Sequence, residues 1–310
     1  MPSKIIIPGG SGFLGQALRK HFEAQGKEVF ILTRNPRHSW DQYWDGKTIG
    51  KWTSLLEGAE CVINLAGKSV DCRYTPKNKV SILSSRVDST KILGKAVAHC
   101  DHSPKIWLNS STATIYKDRR GDLEPHTEKE GLIGHDFSMH VAQSWEKALF
   151  DSPTPHTRKV ALRISFVLGK EGGAWPVILD LAKKGLSGKQ ASGQQWMSWI
   201  HICDFINAID FILSSNLEGP INITAPYPVQ NQDFYRSLAD QIKPWVHINQ
   251  PKWMLELGAM MLGTETELVL KSRKVAPQRL LEAGFRFDYP HIQNAFDALF
   301  RKKEETSSYV

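Results

Sequence analysis

Three glycines near the start of the chain have the types and spacing of a binding site for phosphate groups. Gly9, Gly12 and Gly15 recur at every third position, directly after the apolar run 5–7 and at the start of an amphipathic stretch. Without a Cβ, Gly9 can adopt backbone angles closed to other residues, Gly12 can let a diphosphate approach the main chain, and Gly15 can let a helix pack closely on a strand. The free N–H groups and positive dipole end of that helix would hold the phosphates. The pattern predicts a dinucleotide-binding turn, and the alternative is a tight turn without a ligand.

The end of the second apolar segment, 28–33, indicates which dinucleotide would bind. An acidic residue there, about 20 residues beyond the glycines, would accept hydrogen bonds from the adenosine ribose and favour NAD. This chain has Arg34 instead, with Arg37 and His38 close behind. A guanidinium cannot accept a hydrogen bond, but its planar fork fits a 2′-phosphate. We therefore predict NADP as the cofactor, while a surface cation paired with a carboxylate is the alternative interpretation of Arg34.

Apolar, β-branched segments alternate with segments of helical periodicity, and this alternation predicts the fold. After the first strand, strand-like segments lie at 28–33, 60–65, 105–109, 159–167 and 221–224. Between most of them lie apolar stripes of helical spacing, such as Leu14, Ala17, Leu18 and Phe22, or Ile82, Val87, Ile92, Leu93 and Val97. This order predicts an α/β protein with a doubly wound parallel sheet of Rossmann type. Ligands of such sheets bind beyond the carboxyl ends of the strands.

The regular alternation weakens from about residue 168, and this change predicts two parts. We expect residues 1–167 to form the NADP-binding Rossmann domain, with the strand 221–224 returning to its sheet. Residues 168–300 would form a smaller substrate-side region with a C-terminal helical module. The polar end, 301–310, would be a flexible tail.

Aromatic residues in the glycine-rich loops of the second part are candidates for a substrate pocket. Trp196, Trp199 and His201 could form one wall of it, although positioning of the loop is the commoner role for such a histidine. Asp204 follows at the start of a predicted helix, where it could cap the helix or favour its dipole. A further apolar stripe through Met254, Leu257 and Met261 is predicted to be core, because methionine at helical spacing usually packs inside.

The charge, the cysteine spacing and the length of the apolar runs indicate which kinds of partner the protein has and in which compartment it works. The 39 Lys and Arg residues against 32 Asp and Glu residues give a net charge of +7. These basic residues are scattered rather than clustered, so we expect no nucleic-acid partner. The four cysteines have no Cys-x-x-Cys spacing, which indicates free thiols and neither a metal site nor disulfides. No run of about 18 apolar residues occurs, and we predict a cytoplasmic monomer or homodimer without a membrane partner, acting on a small molecule.

Several motifs in order along the chain resemble the extended short-chain dehydrogenase/reductases. They are 9–15, the sequence Asn64-Leu65-Ala66-Gly67 after the third strand, and the sequence 110–116 after the fourth. Ser85-Arg86, Trp145-Glu146, 163–173, 198–201 and 277–285 are similar to one epimerase-like subgroup of that superfamily. This subgroup is often labelled nucleoside-diphosphate-sugar epimerase and has a small C-terminal module. The resemblance covers nearly the whole chain.

The resemblance implies a set of residues that bind the cofactor. Main-chain and side-chain groups would lie along the pyrophosphate (Gly9, Gly12, Phe13, Leu14), beside the 2′-phosphate (Arg34), around the adenosine and ribose (Leu65, Ala66, Gly67) and at the nicotinamide end (Phe166, Val167). Arg86 would reach back toward the cofactor. Pro8 departs from the pattern, because relatives usually have threonine there. Proline has no N–H, so the hydrogen bonding from strand to turn must differ slightly.

The resemblance also shows which catalytic groups this chain lacks. Members of the superfamily use a tyrosine and a lysine four residues later to move the substrate proton while hydride passes to or from the nicotinamide. Counting back from Trp145-Glu146 places this pair at Ser138 and Ala142, which cannot do that work. The one literal Tyr-x-x-x-Lys, Tyr43 to Lys47, lies in a loop on the adenosine side.

Other hydroxyl groups and two histidines could replace the missing pair. The usual active-site serine falls on Thr112, with Ser111 beside it, and either could orient a carbonyl or hydroxyl oxygen. Tyr116, His135 and His140 are candidates for proton transfer, although each has an ordinary structural alternative. Two functions therefore stay open. One is an NADP(H)-dependent, epimerase/dehydratase-like or reductase-like activity on a polar small molecule such as a nucleotide-linked sugar, and the other is a non-catalytic NADPH sensor.

Overall fold

The computed structural model describes residues 3–301, apart from the side chains of Leu262 and Leu268. Seven strands in this range build one sheet: β1 Lys4–Pro8, β2 Glu28–Thr33, β3 Asp41–Tyr43, β4 Cys61–Asn64, β5 Ile106–Thr112, β6 Arg158–Ile164 and β10 Gly219–Ile223. Four short strands pair outside this sheet: β7 Phe166–Leu168 with β9 Trp199–His201, and β8 Trp196–Met197 with β11 Val229–Gln230.

The described helices connect these strands and build the C-terminal part. They are α1 Phe13–Ala24, α2 Pro76–Ala98, α3 Phe137–Phe150, α4 Trp175–Lys183, α5 Ile202–Ser214, α6 Asn231–Ile242, α7 Lys252–Leu262, α8 Glu267–Leu270, α9 Gln278–Glu282 and α10 Ile292–Phe300. Among the residues that the structure describes, no helix is long and apolar enough to cross a membrane.

The sheet is parallel throughout, in the order β3-β2-β1-β4-β5-β6-β10. This order confirms the predicted doubly wound Rossmann fold. The chain winds outward from β1 on one side and from β4 on the other, so the carboxyl ends of these two neighbouring strands flank the crevice where ligands of such sheets bind. The edge strand β3 corrects one prediction, because Tyr43 ends a strand rather than lying in a loop.

Strand side chains alternate between two helical layers, which is why the sheet is apolar on both faces. Ile5 and Ile7 pack with residues of α1 and α5, such as Phe22 and Phe205. Ile6 points to the opposite face and packs with residues of α2 and α3. Helices therefore cover both faces of the sheet, which leaves the ends of the strands for the functional groups.

The segment after residue 168 has its own core, in which Trp175, Phe234 and Phe296 bring α4, α6 and α10 together. The proposed division into two domains stays a prediction, and residues 302–310 of the predicted tail lie outside the described range. The predicted core stripe on α7 is wrong in part. Leu257 is 50% exposed and Met261 is 81% exposed, because this helix turns much of its apolar face to the surface.

Candidate cofactor and active site

The turn after β1 brings the backbone of two strands into close contact. Gly9 has φ +73°, and a Cβ added there would lie 2.6 Å from the Cα of Ala66. A Cβ on Gly15 would lie 2.3 Å from the Cα of Gly10, so the first turn of α1 rests directly on the glycine turn. No other residue type fits either position without a backbone shift. The first and third glycines of the motif therefore shape the turn itself.

The second glycine of the motif has a different environment. Gly12 is the N-cap of α1, with extended backbone and no side-chain cap, and no acidic residue lies in the first helical turn. A Cβ added to Gly12 would meet no atom of the described chain within 4 Å. The N–H groups of a helical first turn have no intrahelical acceptor. This end of α1 is thus an open, positively polarised cradle of the kind that binds a diphosphate.

The side chains that follow Gly12 pack into the protein rather than into the cradle. The Phe13 ring fills the space beside two glycines after β7, since a Cβ on Gly169 would lie 2.4 Å from it and one on Gly172 would lie 2.9 Å from its Cβ. Leu14 packs against the apolar core. Phe13 and Leu14 can therefore offer their main chain to a ligand, while the glycine-rich loop after β7 is held against α1.

A cation without a carboxylate partner in the described range follows the last residue of β2. Arg34 is exposed. Within residues 3–301 no carboxylate lies within ion-pair distance of it, so the alternative of a paired surface cation receives no support. Arg37 and His38 donate their main-chain N–H groups to Asp41 Oδ2, at 2.8 and 3.0 Å, which fixes the loop behind it.

Helix α2 provides a second cation, which lies against the loop after β4. Arg86, on α2, donates to the carbonyl oxygens of Lys68 and Ile82, both at 3.0 Å, and its guanidinium lies 5.0 Å from the centre of the Trp145 ring. A Cβ on Gly67 would lie 3.1 Å from its Cζ. Burial lowers the pKa of Arg86 to about 10. In the described part of the chain this guanidinium has no carboxylate partner, so its charge is available to a ligand.

The other residues around this loop are held by main-chain hydrogen bonds. Leu65 donates its N–H to the carbonyl oxygen of Pro8 at 2.8 Å, and Ala66 donates its N–H to Asn64 Oδ1 at 3.1 Å. The missing N–H of Pro8 therefore does not prevent the ends of β1 and β4 from being joined. At the other end of the crevice, Phe166 donates its N–H to Ser198 at 3.2 Å, while Val167 is buried.

Two of the predicted catalytic hydroxyls lie inside a buried ion-pair network. Ser111 donates to Glu146 Oε1 at 2.6 Å, and Arg163 donates to both oxygens of the same carboxylate at 2.8 Å. Arg163 also donates to the Tyr116 hydroxyl at 2.7 Å, and that hydroxyl donates to Asn222 Oδ1 at 2.8 Å. Burial raises the pKa of Tyr116. This geometry favours a structural role for Ser111 and Tyr116.

Thr112 differs from these neighbours, because its side chain is only partly buried. Its Oγ1 accepts a hydrogen bond from the N–H of Thr114 at 3.1 Å, while its hydroxyl proton has no acceptor among the described residues. Thr112 can therefore still donate to an oxygen in the crevice. His135 and His140, the other candidates for proton transfer, are exposed.

The helix that would carry the usual tyrosine and lysine has neither group. Ser138 is partly buried near the start of α3, and Ala142 is fully buried one turn later. Sequence reasoning gave no role to Tyr74, whose ring packs against the first residue of this helix. The ring of Tyr74 meets the ring of Phe137 edge-on, with centroids 5.2 Å apart. Burial raises the pKa of Tyr74. In the sequence, nothing marks Tyr74 except that it is an aromatic residue just before the N-terminus of α2.

The predicted substrate wall divides into one accessible residue and two buried ones. Trp196 is partly buried, donates its indole N–H to the carbonyl oxygen of Gly121 at 3.0 Å, and has the Lys274 ammonium 4.1 Å from its ring centre. Trp199 is fully buried in the C-terminal core. His201 is the N-cap of α5, with Nδ1 accepting from the N–H of Cys203 at 3.3 Å.

The acid near this histidine is also structural. Asp204 is fully buried and accepts the main-chain N–H groups of Asp288 and Tyr289 at 2.8 and 2.9 Å. Burial raises its pKa to about 6 despite these hydrogen bonds. Asp204 thus ties α5 to the segment before α10, rather than capping its own helix.

The capping role of His201 predicts a pH-dependent stability. Burial lowers the pKa of His201 to about 4 from an ordinary value near 6.5. Between these pH values His201 binds a proton in the unfolded chain but not in the folded protein. The free energy of unfolding therefore decreases as the pH falls. His201→Asn, which keeps a capping oxygen, should remove about 2 kcal/mol of this acid-induced loss. Urea unfolding at pH 7 and pH 4 measures it.

The control for this prediction is a histidine on the surface. His102 is exposed, so His102→Asn should leave the acid-induced loss of stability as it is in the unchanged protein. Equal pH dependence of unfolding in the His201→Asn variant and the unchanged protein would contradict the prediction.

Family models match both parts of the chain. Residues 5–224 match the NAD dependent epimerase/dehydratase family, and residues 250–299 match a domain of unknown function (DUF1731). The epimerase family protein YfhF of Bacillus subtilis (strain 168) is 33% identical over 312 residues, which cover 97% of this chain and 99% of that protein. The epimerase family protein SA0724 of Staphylococcus aureus (strain N315) is 31% identical over 303 residues, covering 96% and 99%.

Solved structures are similar over the same length. The crystal structure of human epimerase family protein SDR39U1 (isoform 2) with NADPH has a TM-score of 0.84 and 27% identity, covering 96% of this chain and 98% of that one. The nucleoside-diphosphate sugar epimerase from Corynebacterium glutamicum has a TM-score of 0.77 and 30% identity, covering 96% of this chain and 58% of its own. These matches confirm the resemblance that the motifs indicated.

Proposed function

The chain belongs to the NAD dependent epimerase/dehydratase family, and from that membership we propose that it binds NADP(H) and transfers hydride at a carbonyl or carbinol carbon of a polar small molecule. The observation that carries the proposal is the open N-terminus of α1. Gly12 leaves room for a diphosphate against uncapped N–H groups, and Arg34 lies nearby without a carboxylate partner in the described range. A bound NADP(H) would supply or accept the hydride.

The cofactor site would be completed from three neighbouring elements. The main chain of 9–14 would hold the pyrophosphate, and Leu65, Ala66 and Gly67 would border the adenosine and ribose. Arg86 would contribute its unneutralised charge from α2. Phe166 and Val167 would flank the nicotinamide end. The similarity to a human protein crystallised with NADPH supports this assignment.

Arg34→Ala should discriminate between the two pyridine cofactors. The variant should lose about 10- to 100-fold in affinity for NADPH, because a charged hydrogen bond to the 2′-phosphate contributes about 1.5–3 kcal/mol. Its affinity for NADH should not change, since NADH has no phosphate at that position. Titration of nicotinamide fluorescence measures both affinities. Arg286→Ala, at an exposed arginine elsewhere, is the matched control. Equal affinity of the unchanged protein for NADPH and NADH would reject the NADP assignment.

The substrate oxygen would be oriented from the end of β5. Thr112 keeps a hydroxyl proton that it can donate, whereas Ser111 and Tyr116 support this strand end from within the buried network. Trp196 would border the substrate on the opposite side. We propose a polar substrate such as a nucleotide-linked sugar, a monomer or homodimer, no nucleic-acid partner and a cytoplasmic location. Four free cysteines are consistent with a reducing compartment.

A second candidate function is an NADPH sensor without turnover. The observation that favours it is the pair Ser138 and Ala142, which cannot replace a tyrosine and a lysine on α3. The two functions differ in a simple measurement. Incubation with NADPH and a panel of sugar nucleotides and ketones should give substrate-dependent oxidation if the protein is a reductase. Binding of NADPH without its oxidation by any of them, and without conversion of any sugar nucleotide into another, would favour the sensor.

A further inference from the structure

The loop between β2 and β3, residues 34–40, carries three exposed basic residues. They are Arg34, Arg37 and His38, and within residues 3–301 no carboxylate lies within ion-pair distance of any of them. The N–H of Gly9 donates to the carbonyl oxygen of Leu32 at 2.8 Å, so the glycine turn is joined directly to the end of β2. The basic loop therefore starts two residues from a strand end that touches the proposed diphosphate cradle.

One carboxylate sets the conformation of this loop. Asp41, the first residue of β3, accepts the N–H groups of Arg37 and His38 on Oδ2 at 2.8 and 3.0 Å. It donates its own N–H to the carbonyl oxygen of His38 at 3.0 Å, and it pairs with Ile31 of β2. An acid after β2 binds the ribose hydroxyls in NAD-specific sites. Here the nearest acid in the chain holds the loop closed.

An aromatic residue of the same loop packs against α1. The rings of His38 and Trp40 are stacked, with centroids 4.6 Å apart and 19° between their planes. The guanidinium of Arg19 lies 4.2 Å from the centre of the Trp40 ring. Arg19 belongs to α1, the helix whose N-terminus forms the cradle. The loop 34–40 is therefore fixed by contacts both with the sheet and with the helix that would bind the diphosphate.

We propose that Asp41 is a positioning residue for the 2′-phosphate of NADP(H), and that it holds the loop 34–40 so that Arg37 and His38 join Arg34 at this one phosphate group. This inference rests on the proposed function. The N–H groups of Arg37 and His38 are bound to Asp41, so these residues approach the phosphate through their side chains. A loop that is already ordered loses less conformational entropy when it binds. Asp41 therefore strengthens the binding of NADPH and not that of NADH.

The affinities of an Asp41 variant for the two reduced cofactors test the proposal. Asp41→Ala should lower the affinity for NADPH about 10-fold, because two long side chains must then be ordered on binding. Its affinity for NADH should not change, since NADH has no phosphate beside this loop. Asp41→Asn keeps an oxygen that can accept the same N–H groups, and it should retain most of the affinity for NADPH. Titration of nicotinamide fluorescence measures the affinities, and a melting curve shows that each variant is folded.

The next loop of the chain contains a matched control. Asp45 Oδ1 accepts the N–H groups of Lys47 and Thr48 at 2.8 and 2.9 Å, which is the arrangement that Asp41 makes with its own loop. Asp45→Ala therefore removes the same number of main-chain hydrogen bonds from a loop that follows β3 rather than β2. The ratio of the affinities for NADPH and NADH should stay as it is in the unchanged protein.

The outcomes separate this inference from the proposed function. Equal weakening of NADPH and NADH binding by Asp41→Ala, or no weakening of either, would overturn the positioning role. A preference of the unchanged protein for NADPH would still support the cofactor assignment in that case. If the unchanged protein binds neither cofactor, or binds both equally, the NADP assignment fails and this inference fails with it. A selective loss of NADPH binding in Asp41→Ala, restored in Asp41→Asn, would support the proposal.

Discussion

Gly12→Ala should leave the thermal stability of the protein unchanged and weaken NADPH binding by about 100-fold. The new methyl group would meet no atom of the described chain within 4 Å, and the backbone at Gly12 is extended, so the fold tolerates it. The same methyl group would occupy the space through which a diphosphate reaches the N–H groups of α1. Calorimetric titration with NADPH, together with a melting curve, measures both quantities.

Two other glycines provide the contrast. Gly258→Ala also adds a methyl group to open space, on α7, and should change neither binding nor stability by much. Gly9→Ala should instead lower the free energy of unfolding by at least about 2 kcal/mol, because φ is +73° and the Cβ would collide with the backbone of Ala66. Unweakened NADPH binding by Gly12→Ala would show that no diphosphate lies at this helix end.

Arg163→Met should lower the free energy of unfolding by about 3–5 kcal/mol. Its side chain and that of Glu146 are only 8% and 10% exposed, so the substitution would leave a buried carboxylate without its counter-charge. Burial lowers the pKa of Arg163, but hydrogen bonds and charge from Glu146 outweigh this and raise it. The variant would also remove the donor that holds the Tyr116 hydroxyl. Urea unfolding at pH 7 measures the loss.

The double variant Glu146→Leu/Arg163→Met tests the reason for this loss. With both charges removed, much of the stability should return, because the penalty comes from the unpaired charge rather than from the missing ion pair. Asp151→Asn, which breaks the exposed pair with Lys147, should cost less than about 1 kcal/mol. If Arg163→Met lowered the free energy of unfolding by less than about 1 kcal/mol, the proposed structural role of the network would be contradicted.

Local patterns were sufficient for much of the fold. The β-branched runs predicted β1, β2 and β4 to within a residue or two, and the helical stripes predicted α1 and α2. Short elements were harder. β3 has three residues and no apolar run of its own, so it forms only because β2 presents an unpaired edge. The apolar face of α7 has the period of a core helix, and only packing shows that no described element covers Met261.

The candidate site divides in the same way. The glycine turn directly follows β1, and Arg34 directly follows β2. Their positions in the fold could therefore be predicted from the order of residues in the chain. Ser111 and Tyr116 could not be assigned in this manner, since their partners Glu146, Arg163 and Asn222 come from distant segments. His201 was open to two interpretations until its Nδ1 was found to cap α5.

Residue order alone was enough to establish the Rossmann architecture, the family resemblance and the absence of the usual tyrosine and lysine from α3. These features depend on periodicity and on short motifs, which are local properties of a chain. Folding brought Ser111 to Glu146, placed the Tyr116 hydroxyl between Arg163 and Asn222, and left Arg86 without a carboxylate partner in the described range. The hydrogen bonds of Ser111 and Tyr116 join residues 35 to 106 positions apart, and no local pattern records them. The tertiary structure therefore decided which groups can carry out chemistry in the crevice.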